Sequence, residues 1–219
     1  MTQTTKIAVI GSGTVGETLA NGFLAHGYEV MRGSREPGKL ADWQKQAGGK
    51  AHIGNLSECG KFGRTFVLAV NGGGAESALE QIGIANLDGK TVIDTTNPIS
   101  GPPVDGVLPL FTTPNTSLME TLQKKAPQAR FVKAFNSVGA PQMVSPKVDG
   151  GPPTMFICGD DASAKAEVTA ILTAFGWETA DMGTAKSARA IEPLCVLWCI
   201  LGFTQNSWMH AFKLLRPAK

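Results

Sequence analysis

The sequence has little of what marks membrane, secreted or nucleic-acid-binding proteins. Its 20 basic and 18 acidic residues give a net charge of only +2, too balanced for a polyanion-binding surface, so we expect no nucleic-acid partner. The longest apolar run, 195–203, is about half the length that spans a bilayer, which argues against a membrane partner. Residues 1–5 are polar and show no charged-then-apolar leader. We therefore expect a cytoplasmic protein.

Cysteine, histidine and tyrosine are also scarce. The chain has four Cys without any C-x-x-C spacing, three His and one Tyr. A metal site and a redox-active dithiol are therefore poorly supported, and we interpret Cys195 and Cys199 as reduced core thiols on one helix. There is no Ser-His-Asp order, and no Tyr-x-x-x-Lys pair, because Tyr28 begins a predicted strand. We assign no catalytic residue and no metal ligand.

The composition is that of a folded globular chain with a surplus of glycine. Of the 219 residues, 42% are hydrophobic, 17% are charged and 26 are Gly, which excludes disorder, collagen and coiled coil. A chain of this length buries roughly 70% of its unfolded surface, so it can fold without disulfides or metals.

The strongest motif lies near the N-terminus. A strand-like run, Lys6–Ile10, leads directly into a glycine-rich segment and then into apolar residues at helical spacing. A second strand-like run, 28–31, follows after Gly27. This strand–turn–helix–strand order is the context that a dinucleotide-binding fingerprint requires. The fingerprint itself reads Gly11-Ser12-Gly13-Thr14-Val15-Gly16.

Each glycine of the fingerprint has a mechanical role in that reading. Gly11 permits the tight turn, Gly13 lets the backbone approach a pyrophosphate, and Gly16 lets the helix pack close to the strand. The helix N-terminus presents unpaired N–H groups and a partial positive charge to the phosphates.

The residues after the second strand favour NADP(H) over NAD(H). NAD sites place a carboxylate there for the ribose 2′-hydroxyl, but this sequence has none before Glu36. Ser34 and Arg35 can donate to a 2′-phosphate, and Lys39 would face the same group from the first turn of a helix. A solvated basic surface is the alternative for these cations and for Arg32.

Further strand-like runs recur at the spacing of βα units and predict the fold class. We predict an α/β, Rossmann-type, doubly wound and mostly parallel sheet with a short C-terminal helical extension. The division is 1–183 for the NADP-binding domain and 184–219 for the helical segment. The predicted strands are 51–53, 64–70, 90–95, 130–135, 154–158 and a weaker 177–181, and the predicted helices lie near 75–82, 116–126 and 161–175.

Small, polar or tightly turned residues follow three of these strands. Ligands of such sheets sit beyond the carboxyl ends of the strands, so these loops are predicted to meet the cofactor and a flat second substrate. The segment 97–117 reads as a long loop, either a lid or a surface excursion. The predicted cofactor-binding residues at the strand ends are Ala69, Val70, Asn71, Asn97, Pro98 and Ala140.

The apolar stretch 188–212 is predicted to be a buried helix that Pro193 starts or kinks. Burial against the sheet and a subunit interface are both open interpretations. The absence of a catalytic base is compatible with hydride exchange between a nicotinamide and another conjugated ring, where the protein chiefly orients the reactants.

These motifs resemble those of the NADP oxidoreductases that use the deazaflavin coenzyme F420, over about nine-tenths of the chain. The fingerprint, Gly33-Ser34-Arg35 with Lys39, and Cys158-Gly159-Asp160-Asp161 carry the resemblance. Residues 133–136 (Lys-Ala-Phe-Asn) are similar to the cytosolic domains of the related membrane-bound ferric reductases, and 188–194 opens a closing helix of similar character.

The resemblance implies direct hydride transfer between NADP(H) and a deazaflavin or flavin-like acceptor. It implies that 12–15 hold the pyrophosphate, Ser34, Arg35 and Lys39 the 2′-phosphate, Val70 and Asn71 the nicotinamide ribose, and Ala140 the nicotinamide ring. It also implies that 184–214 closes the site and pairs subunits into a homodimer. Gly72-Gly73-Gly74 replaces bulkier residues of the family, which predicts a larger acceptor pocket.

Two other functions remain open from the sequence. One is a small imine or keto reductase of the pyrroline-carboxylate reductase kind, which needs a pocket for a substrate carboxylate. The other is a non-catalytic module that senses NADPH and binds a protein partner.

Overall fold

The computed structural model describes residues 5–217, and its centre is a six-stranded parallel sheet. The strands are short, hydrophobic and rich in β-branched residues, as expected for strands covered on both faces. Their spatial order is β3-β2-β1-β4-β5-β6. The chain adds β2 and β3 on one side of β1 and then β4, β5 and β6 on its other side, so the strand order reverses between β1 and β4. The bounds are β1 Lys6–Ile10, β2 Glu29–Gly33, β3 Ala51–Gly54, β4 Thr65–Leu68, β5 Thr91–Asp94 and β6 Arg130–Lys133.

Within residues 5–217, eight α-helices connect and flank the strands. Several begin at a residue whose side chain accepts a hydrogen bond from the first turn: Asn55, Ser117 and Asp161. The bounds are α1 Thr14–Ala25, α2 Ala41–Ala47, α3 Leu56–Phe62, α4 Ala75–Ile82, α5 Leu118–Lys125, α6 Ala162–Ala174, α7 Ala188–Ile191 and α8 Pro193–Gln205.

The sheet separates two hydrophobic layers, which confirms the doubly wound fold. Strand alternation sends Ile7 and Val9 to one face, with α1 and α6, and Ala8 and Ile10 to the other, with α3, α4 and α5. The predicted strands were right in position, and Lys6–Ile10 was right in its bounds. Five of the others were one to three residues too long, since ladder pairing ends before the hydrophobic run does, whereas 28–31 and 51–53 ended two residues and one residue too early.

The last two strands form a separate parallel pair, β7 Thr154–Ile157 and β8 Glu178–Asp181. They join the main sheet through one antiparallel bridge, in which the Lys133 amide donates to the Cys158 carbonyl oxygen at 3.0 Å. The sheet is therefore mostly parallel, as predicted. Gly183, the predicted end of the first domain, lies in the turn after β8, and the two-domain division itself stays a prediction.

The helical stretch Ala185–Gln205 is interrupted at Glu192, and Pro193 is the first residue of α8, as its sequence predicted. Among the described residues it is the one stretch whose length and apolar composition would suffice to cross a membrane, although buried helices of other proteins meet the same criterion. In this fold 39% of its most apolar 18-residue segment is buried. Trp198 of this stretch packs with Leu108 and Cys195 in a small third core. A cytoplasmic location remains a prediction.

Candidate functional site

A trough runs across the carboxyl ends of the strands, where the strand order reverses. It consists of three clefts of about 380, 350 and 490 Å³, and Asn71 borders all three. In open α/β sheets this crevice is where ligands bind. The glycine-rich turn and the end of β2 line the first cleft, the turn and the β5 loop line the second, and Phe111 borders the third.

The glycine-rich turn has the geometry that its sequence predicted. Gly11 has φ +147°, and a Cβ on it would overlap the Ala69 carbonyl oxygen. A Cβ on Gly16 would lie 2.5 Å from the Gly11 carbonyl oxygen, so α1 packs directly on the turn. A Cβ on Gly13 would meet nothing within 4 Å. The backbone is therefore open on the cleft side at the N-terminus of α1, where a pyrophosphate fits.

Arg32 supports this turn from behind, a role that sequence reasoning did not identify. Its side chain is fully buried and stacks on the Trp43 ring at 4.7 Å. Its guanidinium donates to a carboxylate oxygen of Glu17 and to the Ser12 carbonyl oxygen, both at 3.2 Å. Burial lowers the pKa of Arg32. The only available signal was its place inside a strand, where a long cation needs buried partners.

The predicted 2′-phosphate residues meet at one end of the trough. Ser34 is buried, and its hydroxyl oxygen accepts a hydrogen bond from the Glu36 amide at 3.1 Å. Lys39 donates to the Glu36 carboxylate at 2.8 Å, and this contact lowers the pKa of Glu36. Arg35 is exposed and has no ion-pair partner among residues 5–217. It is therefore the cation at this end that is free to meet a ligand.

The second cleft is lined by predicted cofactor residues from two places in the chain. Thr14 and Val15 belong to the glycine-rich fingerprint, and Ala69, Val70 and Asn97 follow strands. All the residues that line the second and third clefts in the described part of the chain are uncharged.

Asn97 is held by a reciprocal amide contact with Asn136. The Asn97 side chain donates to the Asn136 carbonyl oxygen at 2.8 Å, and the Asn136 side chain donates to the Asn97 amide oxygen at 3.1 Å. Asn136 also donates to the Ile191 carbonyl oxygen at 2.9 Å. The cleft wall and the C-terminal helices are thereby connected.

Gly72 lets the segment after β4 approach Asn97 closely, because a Cβ at this position would overlap the Asn97 carbonyl oxygen. A Cβ on Gly73 would lie in ordinary contact, 3.8 Å from the Asn71 amide oxygen, and one on Gly74 would meet nothing within 4 Å. A larger acceptor pocket at the three glycines stays a prediction.

Two predicted cofactor residues do not border the three clefts. Pro98 is buried, and its carbonyl oxygen accepts from the Phe111 amide at 2.8 Å, so it braces the loop from inside. Ala140 opens a single 3-10 turn and packs against the core beneath α1. Their contact with a cofactor remains a prediction, whereas the other twelve predicted residues border the trough.

A buried ion cluster lies directly behind the second cleft. The Lys133 ammonium is 2.7 Å from an Asp94 carboxylate oxygen and 3.0 Å from one of Glu192, and it donates to the Thr96 carbonyl oxygen at 2.8 Å. Burial acts to lower the pKa of Lys133, but the two carboxylates outweigh it and raise this pKa.

Glu192 also ties the C-terminal helices to the sheet. Its two carboxylate oxygens accept hydrogen bonds from the Leu118 and Met119 amides, each at 2.9 Å, and so cap α5. Glu192 lies between α7 and α8, and Thr96 borders the second cleft. The cluster therefore holds the cleft wall, α5 and the start of α8 together. Sequence reasoning missed this cluster because its three members lie far apart in the chain.

The loop 97–117 forms the far wall of the trough. Ile99 pairs with Leu110, and Leu108 packs in the third core against α8. Phe111 is 48% exposed at the third cleft. The loop thus borders the trough and rests on the C-terminal helix at Leu108, while 102–105 and 113–116 are exposed to solvent.

All four cysteines are free and buried, as interpreted. Burial raises the pKa of Cys59 and of Cys158 to about 12, which keeps both protonated at neutral pH. Within residues 5–217 no group of three His, Cys, Asp or Glu side chains is placed to hold a metal ion.

Comparison with known proteins identifies one family. The model of the NADP oxidoreductases described as coenzyme F420-dependent matches residues 6–98. A crystal structure of a candidate F420-dependent NADP reductase from Arthrobacter sp. FB24 is 32% identical. The alignment covers 96% of this chain and 99% of that one, with a TM-score of 0.89.

Two further proteins are similar to this chain at lower identity. Metalloreductase STEAP3 of Rattus norvegicus is 28% identical over 190 residues, which are 86% of this chain and 36% of the rat protein, so the chain spans about a third of that relative. A reductive aminase from Aspergillus terreus, solved in complex with NADPH and ethyl levulinate, is 19% identical with a TM-score of 0.66. That alignment covers 93% of this chain and 64% of the aminase, and at this identity the likeness is one of fold.

Proposed function

Since this chain belongs to the coenzyme F420-dependent NADP oxidoreductase family, we propose that it transfers hydride between the nicotinamide of NADP(H) and a deazaflavin or flavin-like acceptor. That it is an NADP-dependent oxidoreductase follows from the family. The acceptor is the proposed part. The observation that supports it is the trough itself, which is open at Gly13, where a Cβ would meet nothing within 4 Å, and continues as an uncharged, partly apolar cleft toward Phe111.

The binding end of the trough accounts for the choice of NADP(H). The first amides of α1 have no acceptor within the helix and can bind the pyrophosphate beside Gly13. Arg35 and Ser34 can donate to the 2′-phosphate, and Lys39 reduces the repulsion from Glu36. Arg32 keeps the turn in place from behind.

The reacting end supplies position rather than acid–base groups. Bound NADPH would supply the hydride, and the reduced deazaflavin or flavin-like ring would take up its balancing proton from solvent, so neither transfer needs an acid or base from this chain. Asn71 lies at the junction of all three clefts, and the clamped Asn97 fixes the opposite wall. Ile99 and Phe111 line the third cleft and would contact the rings where they stack.

A reductase for small imines or ketones is the second candidate. The fold likeness to an NADPH-bound reductive aminase favours it. It requires a proton donor and a pocket for the substrate's polar group. In the described part of the chain the lining of the second and third clefts supplies amides and hydroxyls but no charged partner.

We further propose that the protein forms a homodimer through the C-terminal helix. Leu197 is 55% exposed and Phe203 is 41% exposed on α8, and Val107 of the adjoining loop is 46% exposed. Apolar side chains grouped in this way are typical of an interface. The third cleft lies beside this surface, so a second subunit could complete its wall.

The acceptor is tested by following NADPH oxidation with oxidised coenzyme F420, with FMN and with a cyclic imine in parallel. We expect turnover with the deazaflavin or FMN and a strong preference for NADPH over NADH. Oxidation with the imine alone would support the second candidate. Tight NADPH binding without turnover of any acceptor would instead indicate a non-catalytic NADPH sensor.

A further inference from the structure

Three neighbouring strands begin with a basic residue at the edge of the sheet opposite the trough. Lys6 is the first residue of β1, Arg64 directly precedes β4, and Lys90 directly precedes β5. The residues that follow each of them are partners in the sheet register, so the three cations stand side by side across β1, β4 and β5.

The three cations also share one face of the sheet. Strand alternation places them with Ala8, Phe66 and Val92, on the side covered by α3. Neighbouring strands are about 4.8 Å apart, and like charges directly opposite one another destabilise a sheet. This row therefore has an electrostatic cost that the fold itself does not require.

A fourth cation completes a cleft around this row. Lys61, in the last turn of α3, lines a cleft of about 550 Å³ together with Phe62 and the three aligned cations. This cleft is larger than any of the three that make up the trough. Two of its cations, Lys61 and Arg64, are exposed and have no ion-pair partner among residues 5–217.

Carboxylates offset little of this charge. Glu29 is 3.9 Å from Lys6 and is shared with His52 at 2.9 Å. Glu167 accepts hydrogen bonds from the Thr65 and Thr91 hydroxyls, which strand alternation places on the opposite face of the sheet. Thr5, which borders the cleft, is uncharged.

Lys90 is fixed at the floor of the cleft. Its ammonium donates to the Gly63 carbonyl oxygen at 2.8 Å and the Gly60 carbonyl oxygen at 3.3 Å, so it cannot swing away from its neighbours. Burial, and after it the positive charge of Arg64, lowers the pKa of Lys90. A bound anion would offset the positive charge of Arg64 and stabilise the ammonium of Lys90.

We propose that this cleft binds a phosphate-bearing anion. Arg64 offers a planar fork suited to two phosphate oxygens, Lys61 and Lys6 add exposed ammonium groups, and Lys90 supplies a fixed positive charge beneath them. The site lies at the amino ends of the strands, whereas the cofactor trough lies at the carboxyl ends. It is therefore independent of the NADP(H) site and of the proposed acceptor.

The proposal is tested by titrating inorganic pyrophosphate into the protein saturated with NADPH, by calorimetry. We expect binding that weakens with added salt and that the double variant Lys61→Gln, Arg64→Gln weakens by about tenfold or more, because two charge-assisted contacts are lost. The matched control is Lys124→Gln, Lys186→Gln, which removes the same charge from exposed positions outside the cleft. Unchanged pyrophosphate affinity in the Lys61, Arg64 variant would overturn the proposal.

A second arm separates a soluble phosphate from a lipid headgroup. The same three proteins are sedimented with phosphatidylcholine vesicles that contain or lack phosphatidic acid. Binding of vesicles, but not of pyrophosphate, that is lost in the Lys61, Arg64 variant would assign the phosphate to a lipid. Absence of cluster-dependent binding in both arms would refute the site. Lys61 and Arg64 are both exposed, so we expect the double variant to unfold at the same temperature as the wild type.

Discussion

Single residues at the phosphate end of the trough behave differently although they look alike in sequence. Arg35 and Lys39 are both candidates for the 2′-phosphate by sequence, whereas for Arg32 the sequence indicates only a solvated surface. In the structure Arg32 is buried behind the glycine-rich turn, Lys39 is paired with Glu36, and Arg35 alone faces the cleft unpaired within the described residues. Cofactor selectivity should therefore depend mainly on Arg35.

We predict that Arg35→Ala weakens NADPH binding by about tenfold to a hundredfold, because a charge-assisted contact to the 2′-phosphate is lost. NADH lacks that phosphate, so its affinity should not change. Fluorescence titration of both nucleotides measures the effect. Arg216→Ala is the control, since Arg216 is exposed and does not border the trough. Equal loss of NADPH and NADH affinity would contradict the assigned role.

The glycine-rich turn allows a matched pair of substitutions. Gly13→Ala should leave stability nearly unchanged, since its Cβ meets nothing, but it should lower NADPH affinity by about tenfold or more by filling the phosphate opening. Gly11→Ala should destabilise the fold itself, because of its φ of +147° and the overlap with Ala69. Thermal unfolding and nucleotide titration of both variants separate the two effects. A Gly13→Ala protein that still binds NADPH normally would place the pyrophosphate elsewhere.

At the scale of elements, the C-terminal helices are attached to the sheet by polar contacts as well as by apolar packing. Arg189 of α7 forms a two-pronged contact with Glu120 of α5, at 2.9 and 2.7 Å. The hydrogen bonds from Arg189 hold the pKa of Glu120 at about 2, below its usual 4.5. This pair therefore contributes stability that depends on pH.

The sign of that dependence follows from the lowered pKa. The contribution is full above pH 4.5, where Glu120 is ionised in the folded and unfolded states, and it is lost as pH falls toward about 2. We predict that Arg189→Gln lowers the free energy of unfolding at neutral pH, and that its difference from the wild type shrinks below pH 4.5. Urea unfolding across this range measures both. A difference that is constant with pH would show that the pair does not act electrostatically.

At the scale of the whole molecule, one buried cluster joins four parts of the chain. The side chains of Lys133, Asp94 and Glu192 are buried, and they connect β5, β6, α5 and the start of α8. Breaking such a cluster leaves uncompensated charge in the core, whereas neutralising all its members does not.

Lys133→Met should therefore lower the free energy of unfolding by about 3–5 kcal/mol. The triple variant Lys133→Met, Asp94→Asn, Glu192→Gln should recover part of that loss, because no buried charge is left unpaired. Urea unfolding compares the two with the wild type. If the triple variant is less stable than the single one, hydrogen bonding rather than charge pairing dominates the cluster.

The proposed homodimer belongs to the same scale. We expect the wild type to elute as a dimer in size-exclusion chromatography with light scattering, and Leu197→Glu, Leu201→Glu to elute as a monomer with unchanged circular dichroism. Both leucines are exposed on α8, so the substitutions bury no charge in the isolated chain. A monomeric wild type at micromolar concentration would rule out this interface.

The fold class and most of the trough could be predicted from sequence because their signals are local. The glycine-rich turn, the hydrophobic strands and the polar strand ends each lie within a few consecutive residues, and parallel strands bring those ends to one edge. Pro98 and Ala140 show the limit of that reasoning. A residue next to a strand end borders the trough only if its loop turns toward it, and both of these pack inward.

The sequence by itself determined most of the secondary structure, the doubly wound topology and the glycine-rich turn at which we predict a dinucleotide to bind, since hydrophobic period and turn chemistry act over short distances. Only the tertiary structure decided which charges are buried, paired or free. Lys133 meets Glu192 across 59 positions of the chain, and three strand-initial cations align only once the register is formed. Electrostatic partners depend on distance in space, and no local pattern in the chain encodes that distance.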